Sequence, residues 1–256
     1  MSIAACAEIV ARGDPDRFLA AMSAHVPARA LLFPIYAFNV EVARAPWISS
    51  EPLIGEMRLQ WWRDVLEELR SGAPPRAHEV VTPLAEVARA GHLPFDVLDR
   101  LVVAHRVHID GPGFDAIEDL ERFLEETGAG LMWASARALG ASAGFEPTVR
   151  AYGWGAALAS YFRAIPSLEE RGRRPLPDGR PEAVKALAER GLAHLAKARN
   201  AGLPRAVKPA LRAGWRAELT LRRAASAPGR VAAGALGESE FRRRAGLLRR
   251  VLTGAV

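Results

Sequence analysis

Apolar residues recur at three- and four-residue spacing along almost all of this chain, and no run alternates apolar with polar. That period belongs to the α-helix, and helices with one apolar stripe bury it by packing on one another. Residues 51–70 show the pattern plainly, with Ile54, Met57, Trp61, Val65 and Leu69 on one face. Asp14 is placed to cap a helix opening at Pro15, since its carboxylate accepts from free backbone N–H groups and proline suits a first turn. Pro27 breaks the chain before a helix over 29–44. Residues 71–75 form a turn and 78–90 a further helix. Pro94 opens one reaching about His108, and the glycines at 111 and 113 end it. Helices follow over 117–139 and 147–165. A loop of prolines and glycines covers 172–180, and helices over 181–201, 205–225 and 238–252 close the chain. The spacing therefore predicts an all-α protein with one domain over residues 1–256.

Length and composition agree with that expectation. The chain has 256 residues, half of them hydrophobic, which suffices for one large core and does not suit a disordered segment. Cys6 is the single cysteine, so neither an internal disulfide framework nor a cysteine-based zinc site can form. The first twelve residues have no basic leader, and Glu8 interrupts their apolar run, which does not fit a signal peptide. No stretch has the roughly 18 apolar residues of a membrane span. The expected location is cytoplasmic, free or peripheral on the inner face of the inner membrane.

The net charge of +6 comes almost wholly from arginine, lysine being confined to Lys185, Lys197 and Lys208. Such a balance suits phosphate-bearing partners or simply follows from composition. No nucleic-acid motif accompanies it, and nucleic acid is not an expected partner. Asp64, Glu67 and Glu68 lie at helical spacing beside Arg63 and Arg70, the arrangement of a solvated, ion-paired face. His105 and His108, with Asp110, share a helix face, but nothing supplies further ligands. On the last helix Phe241, Ala245, Leu248 and Leu252 form a stripe flanked by Arg242, Arg243, Arg249 and Arg250. Such a helix either docks on its own domain with its arginines in water or lies on an anionic bilayer.

Two stretches are similar to the squalene/phytoene synthase family. One is Arg29-Ala-Leu-Leu-Phe-Pro-Ile-Tyr36-Ala37-Phe38; the other is Gly153 to Pro177, with Leu158, Arg163, Gly172, Arg173 and Leu176 at the family's separations. Trp62, the segment Asp119 to Met132 and the closing Arg249 to Gly254 extend the resemblance over most of the chain. It implies the helical isoprenoid synthase fold with a central cavity. Active members of that family ionise allylic diphosphates on magnesium ions held by two facing aspartate pairs. Carboxylates four residues apart share one helix face, as such ligation requires. Here the first pair falls on Ala43 or Arg44 and on Trp47, and the second on Ala164 and Leu168. None of these side chains can hold a hard cation. No catalytic residue, metal ligand or cofactor is expected, magnesium entering only if the chain is an active prenyl transferase with relocated acids.

The basic half of the family's site is retained as Arg29, Arg163 and Arg173. Arginine binds phosphate bidentately, so these residues either take an anion or pair with Glu41, Glu169 or Glu170. The small residues Gly153, Gly155, Ala157 and Ala159 let another helix approach closely. The wording at the two altered motifs, Asn39-Val-Glu41 and Arg163-Ala-x-Pro166, resembles one branch of the family. That branch contains a mitochondrial NADH dehydrogenase (complex I) assembly factor and is regarded as non-catalytic. The resemblance implies a role in assembling a membrane respiratory complex, or the binding of a prenyl lipid.

Overall fold

A computed structural model of the chain describes residues 2–91, 93–199 and 201–254. Helix α1 (Ile3–Gly13) ends at Asp14, which then caps α2 (Pro15–Met22) by accepting from the Arg17 N–H at 2.9 Å. Helix α3 (Val26–Arg44) takes Pro27 into its first turn, where no intrahelical N–H is needed, so the proline opens the helix instead of preceding it. A tight turn at Ala45–Trp47 leads to α4 (Pro52–Arg70), then α5 (Val81–Arg89) and α6 (Phe95–Ala104). The helix expected to run to His108 breaks at His105, and a single turn α7 (Val107–Asp110) follows. That break lets His105 and His108 both turn inward.

Helices α8 (Ile117–Leu124) and α9 (Gly130–Ala138) are joined without a loop by one wide π turn at Glu125–Ala129. Helix α10 (Glu146–Glu170) outlasts its expected end by five residues, with Pro166 inside it. Helix α11 (Pro181–Arg199) returns alongside. Residues 205–225 divide into the turn α12 (Lys208–Leu211), a tight turn at Arg212–Gly214 and α13 (Ala217–Ser226). The division falls where Gly214 crosses α10; a Cβ there would stand 2.7 Å from the Tyr152 ring. The turn α14 (Gly229–Ala232) and helix α15 (Glu240–Thr253) complete the chain. Among the described residues the only β pairing is a single parallel bridge, Gly113 to Arg174.

The core has two halves. One gathers α1, α3, α4, α5 and α6 around Leu32, Ile35, Phe38, Leu59 and Leu101, with the buried Cys6 at its edge. The other gathers α8, α10, α11 and α13 around Leu120, Leu158, Phe162 and Leu221. Helix α9 belongs to both, giving Leu131, Ala134 and Ala138 to the first half and Met132, Trp133 and Ala136 to the second. Its residues from Gly130 to Ala136 are all buried, as expected of a helix packed on both sides.

The small residues of α10 serve packing. A Cβ on Gly153 would lie 2.8 Å from the Ala129 Cα, and one on Gly155 would lie 2.8 Å from the Gly191 carbonyl oxygen. Trp62 is buried edge-on to Phe38, their ring centroids 5.2 Å apart. The acids of α4 are paired at the surface, Glu68 with Arg76 and Glu67 with Arg70, while Arg63 reaches across to Asp99 on α6.

Helix α15 docks on the body, but by the face opposite to its apolar stripe. Arg243, Leu247, Arg250 and Val251 turn inward, while Phe241, Leu248 and Leu252 turn to solvent. The expectation that docking leaves the arginines in water is corrected for Arg243 and Arg250. Asp16 on α2 and Glu218 on α13 supply the acids that draw them in.

Candidate functional site

The C-terminal ends of α3 and α10 hold the two altered motifs, and the turns that follow these helices meet at one mouth of the bundle. Trp47, on the turn after α3, lies beneath two guanidiniums, Arg171 at 4.9 Å and Arg173 at 5.1 Å from its ring centre. The His108 ring stands beside it at 5.2 Å. A cavity of about 600 Å³ opens here, lined by Trp47, Ser49, Ser50, His108, Arg171 and Arg173 among others. Among the described residues no carboxylate lines it.

Arg173 is committed to the scaffold: it donates to the Gly111 carbonyl and, at 2.7 Å, to the His108 carbonyl. The next residue extends the clamp, the Arg174 N–H donating to the Pro112 carbonyl at 2.6 Å. Gly113 is required in this bridge, because a Cβ there would meet the Arg174 carbonyl oxygen at 1.8 Å. Arg171 makes no ion pair among the described residues and is the cation the mouth offers to solvent. His108 adds no charge near neutrality: burial and the Arg173 charge hold its pKa down at about 4. Behind it His105 is lowered to about 3 by burial and by His108, and both rings pack edge-on against Phe123. The Asp110 side chain lies outside the described residues.

The three retained arginines do not share one site. Arg29 donates to the Ala24 carbonyl at 2.7 Å and so braces the start of α3. Arg163 leans away from the mouth to Asp16 at 3.3 Å, with Ser160 as a second partner. Burial and the nearby Arg216 charge lower its pKa. Arg216 and Arg243 approach the same Asp16 carboxylate at 2.7 and 3.4 Å, the latter as an ion pair without hydrogen-bond alignment. Glu238 adds a second acid to Arg216 at 3.2 Å. The acids that Arg163 meets are therefore not Glu41, Glu169 or Glu170.

Magnesium does not fit these residues. Ala43 and Arg44 offer no hard oxygen ligand, nor do Trp47, Ala164 and Leu168. Asn39 is half-buried on α3. Glu41, the nearest acid, pairs with Arg44 at 3.5 Å. It also lines a separate groove of about 470 Å³ with Arg58, Trp61, Trp62 and His78. Among the described residues no group of three or more His, Cys, Asp or Glu side chains is placed to hold a metal ion. Where a metal–diphosphate complex would need carboxylates stand Ala43 or Arg44, Trp47, Ala164 and Leu168, with two guanidiniums over the Trp47 ring.

A family model described as squalene/phytoene synthase matches residues 10–180. The chain belongs to the squalene/phytoene synthase family. Solved structures in this family share its fold over nearly the whole chain. A dehydrosqualene synthase bound to ligand superposes with a TM-score of 0.70 at 13% identity, covering 98% of this chain and 95% of that one. A squalene synthase from Alicyclobacillus acidocaldarius gives 0.60 at 16% identity, covering 98% and 94%. Identities this low establish the fold alone.

Among curated relatives, the NADH dehydrogenase (ubiquinone) complex I assembly factor 6 proteins of Bos taurus and Homo sapiens are each 27% identical over 135 residues. The Drosophila melanogaster homolog is 29% identical over 134 residues. The match with the bovine and human proteins covers 53% of this chain, and the chain spans about 40% of their length. The sequence resemblance to the branch containing an assembly factor is thus found directly.

Three residues of consequence escaped the sequence reading. Arg171 lay unnoticed in the run Arg171-Gly172-Arg173-Arg174, where the family pattern marks only its neighbours. Asp16 and Arg216 are 147 and 200 residues away from their respective partners Arg163 and Asp16, and no local pattern announces such pairs.

Proposed function

We propose that this chain is a non-catalytic member of its family that assists the assembly of a membrane respiratory complex of the NADH dehydrogenase kind. The observation that carries the reading is the mouth itself. Both aspartate-pair positions lack acids, and at one of them Trp47 is stacked under Arg171 and Arg173. Ionising an allylic diphosphate needs charge neutralisation of the leaving group by metal held on carboxylates. One solvent-facing arginine does not replace that set. The assembly factor 6 relatives support the positive half of the proposal. A working position beside the inner membrane, on its cytoplasmic face, belongs to the same reading.

Two measurements test it. Purified protein given magnesium and farnesyl or geranylgeranyl diphosphate is expected to release no diphosphate above the protein-free rate. Deletion of the gene in its own organism is expected to lower NADH dehydrogenase activity while carotenoid and hopanoid content stay unchanged. Turnover at ordinary enzyme rates, or loss of the isoprenoid product with the dehydrogenase intact, would establish the prenyl transferase instead.

A further inference from the structure

We infer that the outward face of α15 lies on the surface of an anionic bilayer. The observations are the roll of this helix and the charges beside its exposed stripe. Phe241, Leu248 and Leu252 are 81%, 58% and 77% exposed, whereas Leu247 is the helix's one buried side chain. The three exposed residues follow one another at helical spacing along a ridge of roughly 16 Å, taking about 1.5 Å of rise per residue.

Burial alone would turn the helix the other way. A Phe and two Leu side chains have more to gain from a core than the Leu247 and Val251 that now face it. The ion pairs fix the roll: Arg243 meets Asp16 at 3.4 Å and Arg250 meets Glu218 at 3.8 Å. At the far end, Lys208 donates to the Gly254 carbonyl at 2.8 Å. The body thus holds α15 with its apolar stripe pointed away from itself.

The charges beside the stripe select the occupant. Arg244 flanks one side, Arg242 and Arg249 the other. Arg242 and Arg249 make no ion pair among the described residues, and the nearest acid, Glu240, is engaged by Arg243 and Arg244 at 3.0 and 2.8 Å. An apolar ridge with two unpaired cations along one side and an ion-paired arginine along the other is a surface that inserts between anionic headgroups, its side chains about 5–10 Å below them. A convex single-helix ridge also suits a deformable surface, where a folded partner would need a matching groove. No helix among the described residues is long and apolar enough to cross a membrane, so the contact proposed is along the surface. This inference rests on α15 alone and stands or falls apart from the assembly role.

The test is sedimentation of the whole chain with vesicles of phosphatidylcholine containing about a third phosphatidylglycerol, beside vesicles of phosphatidylcholine alone. The protein is expected to pellet with the anionic vesicles, weakly with the neutral ones, and less as salt rises. Phe241→Ser with Leu248→Ser and Leu252→Ser should lower the partition at least about tenfold without moving the melting temperature, since these side chains touch solvent. Arg242→Gln and Arg249→Gln should each lower it roughly fivefold on anionic vesicles only. Phe241→Trp should be quenched by lipids brominated in the upper acyl chain. Equal sedimentation of the triple-serine variant and the wild type would overturn the proposal. So would a soluble dimer that the triple-serine substitution splits, because the stripe would then be a protein interface.

Discussion

At Asp16 a single carboxylate meets Arg163 of α10, Arg243 of α15 and Arg216 in the turn before α13, all within 3.4 Å. Asp16→Asn would remove the one carboxylate these half-buried guanidiniums share, leaving Glu238 to Arg216, Glu240 to Arg243 and only Ser160 and a backbone carbonyl to Arg163. It is expected to cost about 2–4 kcal/mol, read as a fall in the urea midpoint without a change in slope. The buried histidines predict a pH dependence. His108 titrates near 4 in the folded chain and near 6.5 unfolded, so the unfolded chain binds more protons between those values. Stability is therefore full above about pH 6.5 and declines as pH falls toward 4, by up to about 1.4 kcal/mol per unit for each such group. His108→Phe should flatten that part of the profile in urea titrations from pH 4 to 7. An unchanged slope would show that His108 is not held neutral. At this scale the sequence disclosed identities and not partners. The loss of the aspartates was legible at Ala43, Arg44, Trp47, Ala164 and Leu168, because a missing carboxylate is visible without coordinates. That Arg163 turns to Asp16 while Arg173 ties two carbonyls was not, since each choice is made across the fold.

Among the elements, the long helices were legible wherever one apolar face repeats without interruption, as in α4, α11 and the bulk of α3 and α10. The misses have local causes. Helix α1 carries only a short apolar pattern that Glu8 interrupts, and the expected single helices over 94–108 and 205–225 each yield to tight turns, the second where Gly214 meets α10. The roll of α15 was hidden because its stripe signals an apolar face without saying which way it points. The crossing of α10 on the π turn tests the packing account. Gly153→Ala places a methyl 2.8 Å from the Ala129 Cα and is expected to cost about 1–3 kcal/mol. Alanine would raise intrinsic helix propensity by roughly 1 kcal/mol, so net destabilisation in thermal or urea unfolding would isolate the steric term. A stabilised Gly153→Ala variant would refute the close approach.

Across the whole molecule the two half-cores share α9, so neither can lose it and remain closed. Trp133→Ala, made on the side facing the second half, is expected to cost about 3–5 kcal/mol. It should lower the stability of both halves in one transition, seen as coincident helix and tryptophan signals. Two separated transitions would mean that α9 does not couple them. This architecture keeps the packing of the centre apart from the mouth, where Trp47 stands at one of the lost acid positions beneath Arg171 and Arg173. The lone cysteine offers a clock for that architecture. Cys6 sits sealed under α3, its Sγ donating to the Glu79 carbonyl at 3.6 Å, and burial with the Glu79 charge lifts its pKa to about 11. A thiol reagent can reach it only while the chain is open. Labelling rates that climb gently with urea would time the lifting of α1 by itself, and rates that climb as steeply as global unfolding would show that the first helix leaves only when everything does.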